Sequence, residues 1–266
     1  IFNGARMVGP SIAGLLIGII GVAGCFLLNA ISYTAAMGSL IAIRVPRRMT
    51  GRLGWAMFQH IREGLAYVWR NATMRFLLLL VAINFGLAMQ YQVLVPLFAR
   101  DILHAGARGY GFLVAAQGLG AVIGAFTMAS RSGNPRALRQ NMVVGIFCMA
   151  AAIATFGLSR SMALSLIAQM FIGAGLMNHL ITSNTIIQFF VTDDLRGRVM
   201  SIYTLAFLGT APLGSLEVGF VGEHFGPRVA VMICAGFAVL CGALLIPKLK
   251  MLADAQEESE RRFAAV

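Results

Sequence analysis

The charge-free stretch MVGPSIAGLLIGIIGVAGCFLLNAISYTAAMGSLIAI (Met7–Ile43) decides the fold class. As a single helix it would rise about 55 Å, whereas the hydrocarbon core of a bilayer is about 30 Å thick. We therefore expect the stretch to fold back on itself at GIIGVAG (Gly18–Gly24). The two resulting spans would lie at about 2–20 and 22–43.

Six further apolar runs are long enough, or nearly so, to cross a bilayer. They lie at about 74–98, 109–130, 141–158, 162–190, 199–221 and 228–247. None has the alternating pattern of a barrel strand, so the sequence predicts an all-α polytopic helical membrane protein with eight spans. The composition agrees, because 59% of the residues are hydrophobic and only 12% are charged, about half the charged fraction of a soluble domain.

The basic residues predict the orientation of these spans. If the loop after the second span is cytoplasmic, all but four of the 21 lysines and arginines lie inside; the exceptions are Arg100, Arg108, Arg160 and Arg228. This asymmetry is the positive-inside pattern, so the net charge of +11 indicates topology and requires no nucleic-acid partner. We expect the loops at 44–74, 131–138 and 191–198 and the C-terminus to be cytoplasmic.

The segment GRLGWAMFQHIREGLAYVWRNATM (Gly51–Met74) is predicted to be an interfacial helix rather than a span. Its apolar residues recur at helical spacing and arginines interrupt them, which is typical of a basic amphipathic helix lying in the membrane surface. It is also the longest polar interruption. We therefore divide the chain into 1–43 with two helices, a cytoplasmic loop at 44–73, a six-helix bundle at 74–249 and a polar cytoplasmic tail at 250–266.

Three stretches resemble one family of membrane proteins. They are NGARMVGPSIAGLLIG (Asn3–Gly18), IREGLAYVWRNATMRFLLL (Ile61–Leu79) and VTDDLRGRVMSIY (Val191–Tyr203). Together they are similar to the major facilitator superfamily, and within it to the bacterial exporters that include the enterobactin exporter and macrolide-efflux-like proteins. The resemblance covers nearly the whole chain up to Leu249.

The resemblance implies a twelve-helix protein of two six-helix halves, of which this chain is a fragment lacking the first four helices. Residues 1–43 would be the last two helices of the N-terminal bundle. The implied function is proton-coupled export of a small organic molecule, siderophore or drug-like, across the bacterial inner membrane by alternating access. The implied partners are the lipid bilayer, the substrate and protons; the full-length protein is expected to be a monomer, with no cofactor and no metal.

The resemblance also assigns a packing role to glycines of the first span. GPSIAG (Gly9–Gly14) resembles the glycine–proline motif of proton-coupled exporters, in which small residues let helices approach and the proline bends the helix. On this interpretation Gly9, Pro10, Gly14 and Gly18 are packing residues.

A cytoplasmic gate is implied near the start of the span at 199–221. Asp193 and Asp194 suit the positive end of a helix, whereas Arg196 and Arg198 need acceptors there. The resemblance implies a latch between helices at these residues, with Arg6 playing an analogous part in the first span. A solvated positive-inside loop is the alternative. The gate motif GxxxDRxGRR of many drug transporters is absent from SRSGNPRALRQ (Ser130–Gln140).

Polar side chains inside the spans are candidates for a substrate pathway, because polar groups at membrane depth are unfavourable without a function or a partner. Asn178, Thr182 and Thr185 follow one stripe of their helix, and Asn84 shares a face with Tyr91. The full predicted set is Asn84, Gln90, Tyr91, Gln117, Asn178, Thr182 and Thr185.

Two ionisable residues inside predicted spans are candidates for proton coupling. His179 lies near the middle of its span, and Glu217 is the one carboxylate inside a predicted span. The alternatives are a histidine that packs between helices and a partly hydrated glutamate near the membrane surface.

The sequence predicts that the protein is not an enzyme. It contains no HExxH, nucleophile elbow or phosphate-binding loop, and its four histidines belong to four different segments. Its four cysteines form no CxxC pair and are interpreted as packed thiols. The alternative class to a transporter is a membrane sensor or scaffold, or an inactive partial gene product.

Overall fold

The computed structural model describes the backbone of residues 2–42, 53–129, 135–191, 193–249 and 251. Within these ranges every regular element is helical, which confirms the predicted all-α class. The helices are α1 (Phe2–Ala42), α2 (Leu53–Arg70), α3 (Ala72–Gly86), α4 (Val95–Leu97), α5 (Gly106–Ala129), α6 (Pro135–Leu158), α7 (Met162–Phe190), α8 (Asp193–Leu208), α9 (Ala211–Phe225) and α10 (Pro227–Leu245). The tail prediction for 250–266 falls outside the described residues, except at Met251.

Seven segments of the described chain are long and apolar enough to cross a membrane, rather than the eight predicted. α1 is one continuous helix of 41 residues, so the predicted turn at Gly18–Gly24 is wrong. The predicted span at about 2–20 falls almost entirely on residues whose side chains lie outside the described part of the structure. Positive backbone φ angles occur in the described residues only at His104, Gly106 and Gly226. Glycine permits a reversal without requiring one, and an unbroken helix pairs its own backbone groups where a turn would leave some unpaired.

The later half of α1 has no covering partner in the described structure. Across Ala23–Ala42 none of the side chains is buried, and Phe26, Tyr33 and Ile41 are 71%, 64% and 83% exposed. Ala23–Ala42 is the candidate membrane span that the described residues of α1 supply.

The bundle is held together by close helix contacts at glycines. A Cβ built on Gly120 of α5 would overlap the Met170 carbonyl of α7, and one on Gly173 of α7 would overlap the Gln117 carbonyl of α5. α6 joins α7 in the same way, since a Cβ on Gly175 would lie 2.8 Å from the Gly145 carbonyl oxygen. Small residues of this kind allow membrane helices to approach without a hydrophobic driving force.

Two spans are broken rather than continuous. The segment predicted as one helix at 74–98 ends its regular α-helix at Gly86 and continues through a 3-10 stretch, Ala88–Leu94, and a π-helical turn, Phe98–Ile102. The segment predicted at 199–221 divides into α8 and α9 around Gly209 and Thr210. Non-helical backbone at membrane depth is stable only where protein or a water-filled cavity surrounds it. The two breaks therefore mark the place to look for a site.

Candidate functional site

The two helix breaks contact each other. A Cβ built on Gly86 would lie 2.6 Å from the Thr210 Cβ, and one on Gly214 of α9 would overlap the Gly86 carbonyl oxygen. Thr210 Oγ1 donates a hydrogen bond to the Ala206 carbonyl at 2.8 Å, and the Ala82 carbonyl of α3 lies 3.4 Å away. The lack of a side chain at Gly86 and Gly214 is what allows the two irregular segments to pack backbone to backbone.

Gln90 connects the two broken helices. Its Nε2 donates to the Phe85 carbonyl at 2.9 Å, an acceptor at the end of α3, and its Oε1 accepts from Ser215 Oγ of α9 at 2.8 Å. A carbonyl at a helix end needs a new donor inside a membrane. Gln90 supplies that donor and ties α9 to the same place.

A cavity of about 690 Å³ opens beside these breaks, and its volume is that of a small-molecule site. Its wall is mainly apolar and aromatic, with four glutamines and a tyrosine as polar groups and no charged side chain among the described residues that line it. The polar and aromatic lining residues are Phe85, Gln90, Gln92, Tyr110, Gln117, Gln169 and Phe207.

A buried hydrogen-bond chain fixes two of the glutamines. Tyr91, which is fully buried, donates from its hydroxyl to Gln169 Oε1 at 2.9 Å, and Gln117 Nε2 donates to the Tyr91 oxygen at 3.4 Å. Gln169 is 1% exposed, yet its Nε2 has no hydrogen-bond partner among the described residues. An unpaired buried amide is rare in folded proteins, so this N–H group at the cavity wall is a candidate donor to a ligand.

The structure separates the predicted pathway residues into two groups. Gln90 and Gln117 line the cavity, and Tyr91 lies behind the wall and orients Gln117 and Gln169. The other four are not among the lining residues: Asn84 and Thr182 are buried, Asn178 is half-buried and Thr185 is exposed. Asn178 instead donates to the Asn141 carbonyl of α6 at 3.1 Å and lies 3.3 Å from Thr182 Oγ1.

His179 is completely buried behind the cavity wall. Its ring lies 5.4 Å, centroid to centroid, from the ring of Phe85, which faces the cavity. Phe85 also packs edge-on against Phe207, another lining residue, at 4.5 Å. Neither ring nitrogen of His179 has a hydrogen-bond partner in the described part of the chain.

Glu217, the second predicted ionisable residue, lies in α9, half-buried and outside the cavity lining. Its Oε2 atom is buried without a hydrogen-bond partner among the described side chains and backbone. The structure therefore places His179 and Glu217 in different helices, and it does not bring either into direct contact with the cavity.

One of the predicted cytoplasmic gate residues, Arg198, forms an ion pair. Arg198 of α8 is bonded through Nη1 to Glu63 Oε2 of α2. Gly64 permits this contact, since a Cβ there would stand 3.2 Å from the Arg198 Cβ and from Ile202 Cδ1. Arg196 is exposed. The side chains of Arg6, Gly9, Pro10, Gly14, Gly18, Asp193 and Asp194 lie outside the described part of the structure.

Several residues of the site were not predicted from the sequence. Gln92, Tyr110 and Gln169 line the cavity, Phe85 and Phe207 form its aromatic wall, and Glu63 is the partner of Arg198. Gln169 carried a usable signal, because a glutamine within an apolar run satisfies the same criterion that selected Gln117. Phe85 and Phe207 carried none, since an aromatic residue in a span has no distinctive pattern.

Comparisons with known proteins agree with this architecture. The chain is 24% identical over 260 residues to the multidrug efflux pump Tap of Mycolicibacterium fortuitum, covering 95% of this chain and 62% of that protein. It is 25% identical over 186 residues to the uncharacterized MFS-type transporter YfmI of Bacillus subtilis strain 168, covering 69% of this chain and 46% of that protein. The chain thus spans about half to three-fifths of the length of these curated relatives.

Residues 1–265 match the family described as transmembrane secretion effector, which is nearly the entire chain. This family groups with transporters rather than with enzymes, as the two relatives also indicate. The chain belongs to the transmembrane secretion effector family of the major facilitator superfamily.

Proposed function

We propose that the protein expressed from its full reading frame is a secondary active transporter of the bacterial inner membrane. It exports a small organic molecule, siderophore or drug-like, by alternating access. The observation that carries this proposal is the cavity of about 690 Å³ beside two broken helices. Discontinuous helices next to a midplane cavity are a recurring feature of secondary transporters.

The chemistry of the wall supports an organic substrate. Apolar and aromatic side chains supply contact area, and the amides of Gln117 and Gln169 supply hydrogen bonds without a fixed charge. Because Tyr91 holds both amides in place, the substrate meets oriented groups rather than mobile ones.

Proton coupling is the proposed energy source, with His179 and Glu217 as the groups that this chain offers. Both are buried or half-buried, and each has an atom without a hydrogen-bond partner among the described residues. A protonation site of an alternating-access transporter must change its environment between the two states. Phe85 links the His179 ring to the cavity, which supports His179 as the group that senses substrate.

The cytoplasmic contact between Arg198 and Glu63 is proposed to act as a latch of the resting state. It joins α2, in the loop between the two predicted bundles, to α8, in the later bundle. Arg6, Asp193, Asp194 and Arg196 are proposed to take part in the same gate, with the C-terminus on the same cytoplasmic side.

The test uses everted membrane vesicles, in which an exporter moves its substrate into the lumen. Uphill accumulation is measured with an imposed pH gradient, using a panel of fluorescent dyes and catecholate siderophores. We expect gradient-dependent movement of at least one compound, lost on adding an uncoupler. Gln117→Ala and Gln169→Ala should reduce it, while Gln140→Ala, an exposed glutamine of α6, should not. Vesicles with and without the protein that behave alike across the panel would favour a sensor or scaffold instead.

A further inference from the structure

The outward face of α2 carries a second cluster of residues that the cavity does not use. The inward face is fixed by Gly64 and Val68, which are buried, and by the bond from Glu63 to Arg198. The opposite face is exposed and consists of Arg62, Leu65, Ala66, Trp69 and Arg70. These positions recur at i, i+3, i+4, i+7 and i+8, so they form one continuous stripe of the helix.

Trp69 is held in an exposed position rather than left free. It is 70% exposed, and Leu65 beside it is 52% exposed. The Arg75 guanidinium lies 5.7 Å from the centre of the Trp69 ring, and its Nη1 donates to the Trp69 carbonyl at 2.9 Å. The Arg75 guanidinium lies over the Trp69 ring, and the apolar area of Trp69 that is left exposed is unfavourable in water.

The charged side chains of this surface are all positive. Glu63 is the single acidic residue in the sequence of α2, and it is bound to Arg198 on the opposite face. Arg62, Arg70 and Arg75 are all exposed around Trp69. Only one of the five N–H groups of Arg75 is used by the Trp69 carbonyl, and guanidinium forks bind phosphate oxygens well.

The position of the surface specifies the occupant. α2 ends at Arg70, the extended residue Asn71 redirects the chain, and the candidate span Ala72–Ile102 begins immediately afterwards. Trp69 therefore lies within one turn of the start of a membrane span, at the depth where tryptophans and arginines contact lipid headgroups.

We propose that Arg62, Trp69, Arg70 and Arg75 form a binding site for the headgroups of anionic phospholipids, with Leu65 and Trp69 inserted among the upper acyl chains. This site is separate from the cavity and does not depend on the proposed transport function. Because Glu63 lies on the inward face of the same helix, bound lipid holds α2 in the orientation in which it contacts α8.

The experiment uses quenching of Trp69 fluorescence by brominated lipids. This chain contains two tryptophans. Trp55→Phe, with any tryptophan outside these residues also replaced by Phe, leaves Trp69 as the emitter. The protein is reconstituted in phosphatidylcholine bilayers containing either brominated phosphatidylglycerol or brominated phosphatidylcholine at the same fraction. We expect phosphatidylglycerol to bind more tightly than phosphatidylcholine by about fivefold or more, which is the effect expected from one arginine at a membrane surface.

The variant Arg70→Gln/Arg75→Gln should bring the two quenching curves together. The matched control Arg160→Gln, an exposed arginine far along the chain in the loop before α7, should keep the preference. Arg70→Lys/Arg75→Lys preserves the charge and should retain most of the preference, which guards against a double variant that fails to fold.

Three results would overturn the proposal. Equal quenching by the two brominated lipids would mean that the surface does not select anionic headgroups. No quenching by either lipid would mean that protein covers Trp69. The third result is quenching that is the same for the two brominated lipids but differs between the protein and its Glu257→Gln/Glu258→Gln variant. It would mean that the acidic stretch of the C-terminal tail binds this surface.

Discussion

Gly86, at the end of α3, lies against Thr210, in the break between α8 and α9, so closely that an added Cβ would stand 2.6 Å from the Thr210 Cβ. The two irregular segments thus depend on each other, and Gln90 and Ser215 bond across the same contact. If the cavity forms because these breaks pack together, adding volume at Gly86 should disturb both the fold and the site.

Gly86→Ala should destabilise the protein by about 1–3 kcal/mol, since overpacking a tight contact forces the backbones apart. Thermal unfolding in detergent measures this. Gly219→Ala is the matched control, because a Cβ there would meet nothing within 4 Å, so it should be neutral or stabilise by up to about 1 kcal/mol. Equal shifts in the two variants would mean that the contact between the breaks contributes nothing particular to stability.

Glu63→Gln and Arg198→Gln should each release α2 from α8. Both side chains are partly exposed, at 40% and 29%, so the pair is worth about 0.5–1 kcal/mol, a two- to fivefold change in the equilibrium constant for docking. Spin labels at the exposed positions Ala66 and Ser201 should report longer, broader distances. The exchange Glu63→Arg/Arg198→Glu should restore the original distance distribution. If neither single variant changes this distribution, Arg198 contributes only to the orientation of the protein in the membrane.

The predicted topology determines from which side of the membrane an introduced cysteine can be labelled. In a background without native cysteines, Arg196→Cys should react with a membrane-impermeant maleimide only after the inner face is exposed. Arg160→Cys should react from outside in intact cells. The reverse pattern would invert the orientation argued from the arginines and lysines.

Coupling to protons predicts that one ionisable group controls uphill export. His179→Gln or Glu217→Gln should abolish accumulation against a concentration gradient while leaving downhill movement, because the driving proton no longer binds. Vesicles with an imposed pH gradient measure both modes. Should both variants still export uphill, the coupling site lies outside these two residues.

The spans could be predicted because long apolar runs in a membrane have one structural solution. The helix expected at 162–190 is observed as Met162–Phe190, and the run at 228–247 corresponds to α10 followed by a short 3-10 turn. The predicted turn at Gly18–Gly24 failed because glycines in an apolar run are compatible with helix as well as with reversal. Neighbouring helices decide between the two, and the sequence does not reveal them.

The cavity could be predicted only in part. Gln90 and Gln117 were identifiable as polar groups at membrane depth, and Gln169 met the same criterion. The break between α8 and α9 left a signal in LGTAPLG (Leu208–Gly214), where glycines flank a proline. The break after Gly86 left almost none, since it results from contact with Thr210, more than a hundred positions away along the chain.

The most direct test of the central claim asks whether the glutamine-lined cavity is the substrate pathway. Gln117→Cys, in the background without native cysteines, is treated with a methanethiosulfonate reagent in vesicles that export a compound from the panel, and Gln140→Cys is the control. We predict that modification at position 117 blocks export, that excess substrate slows the modification, and that modification at position 140 does neither. Full export after complete modification at position 117 would contradict the account.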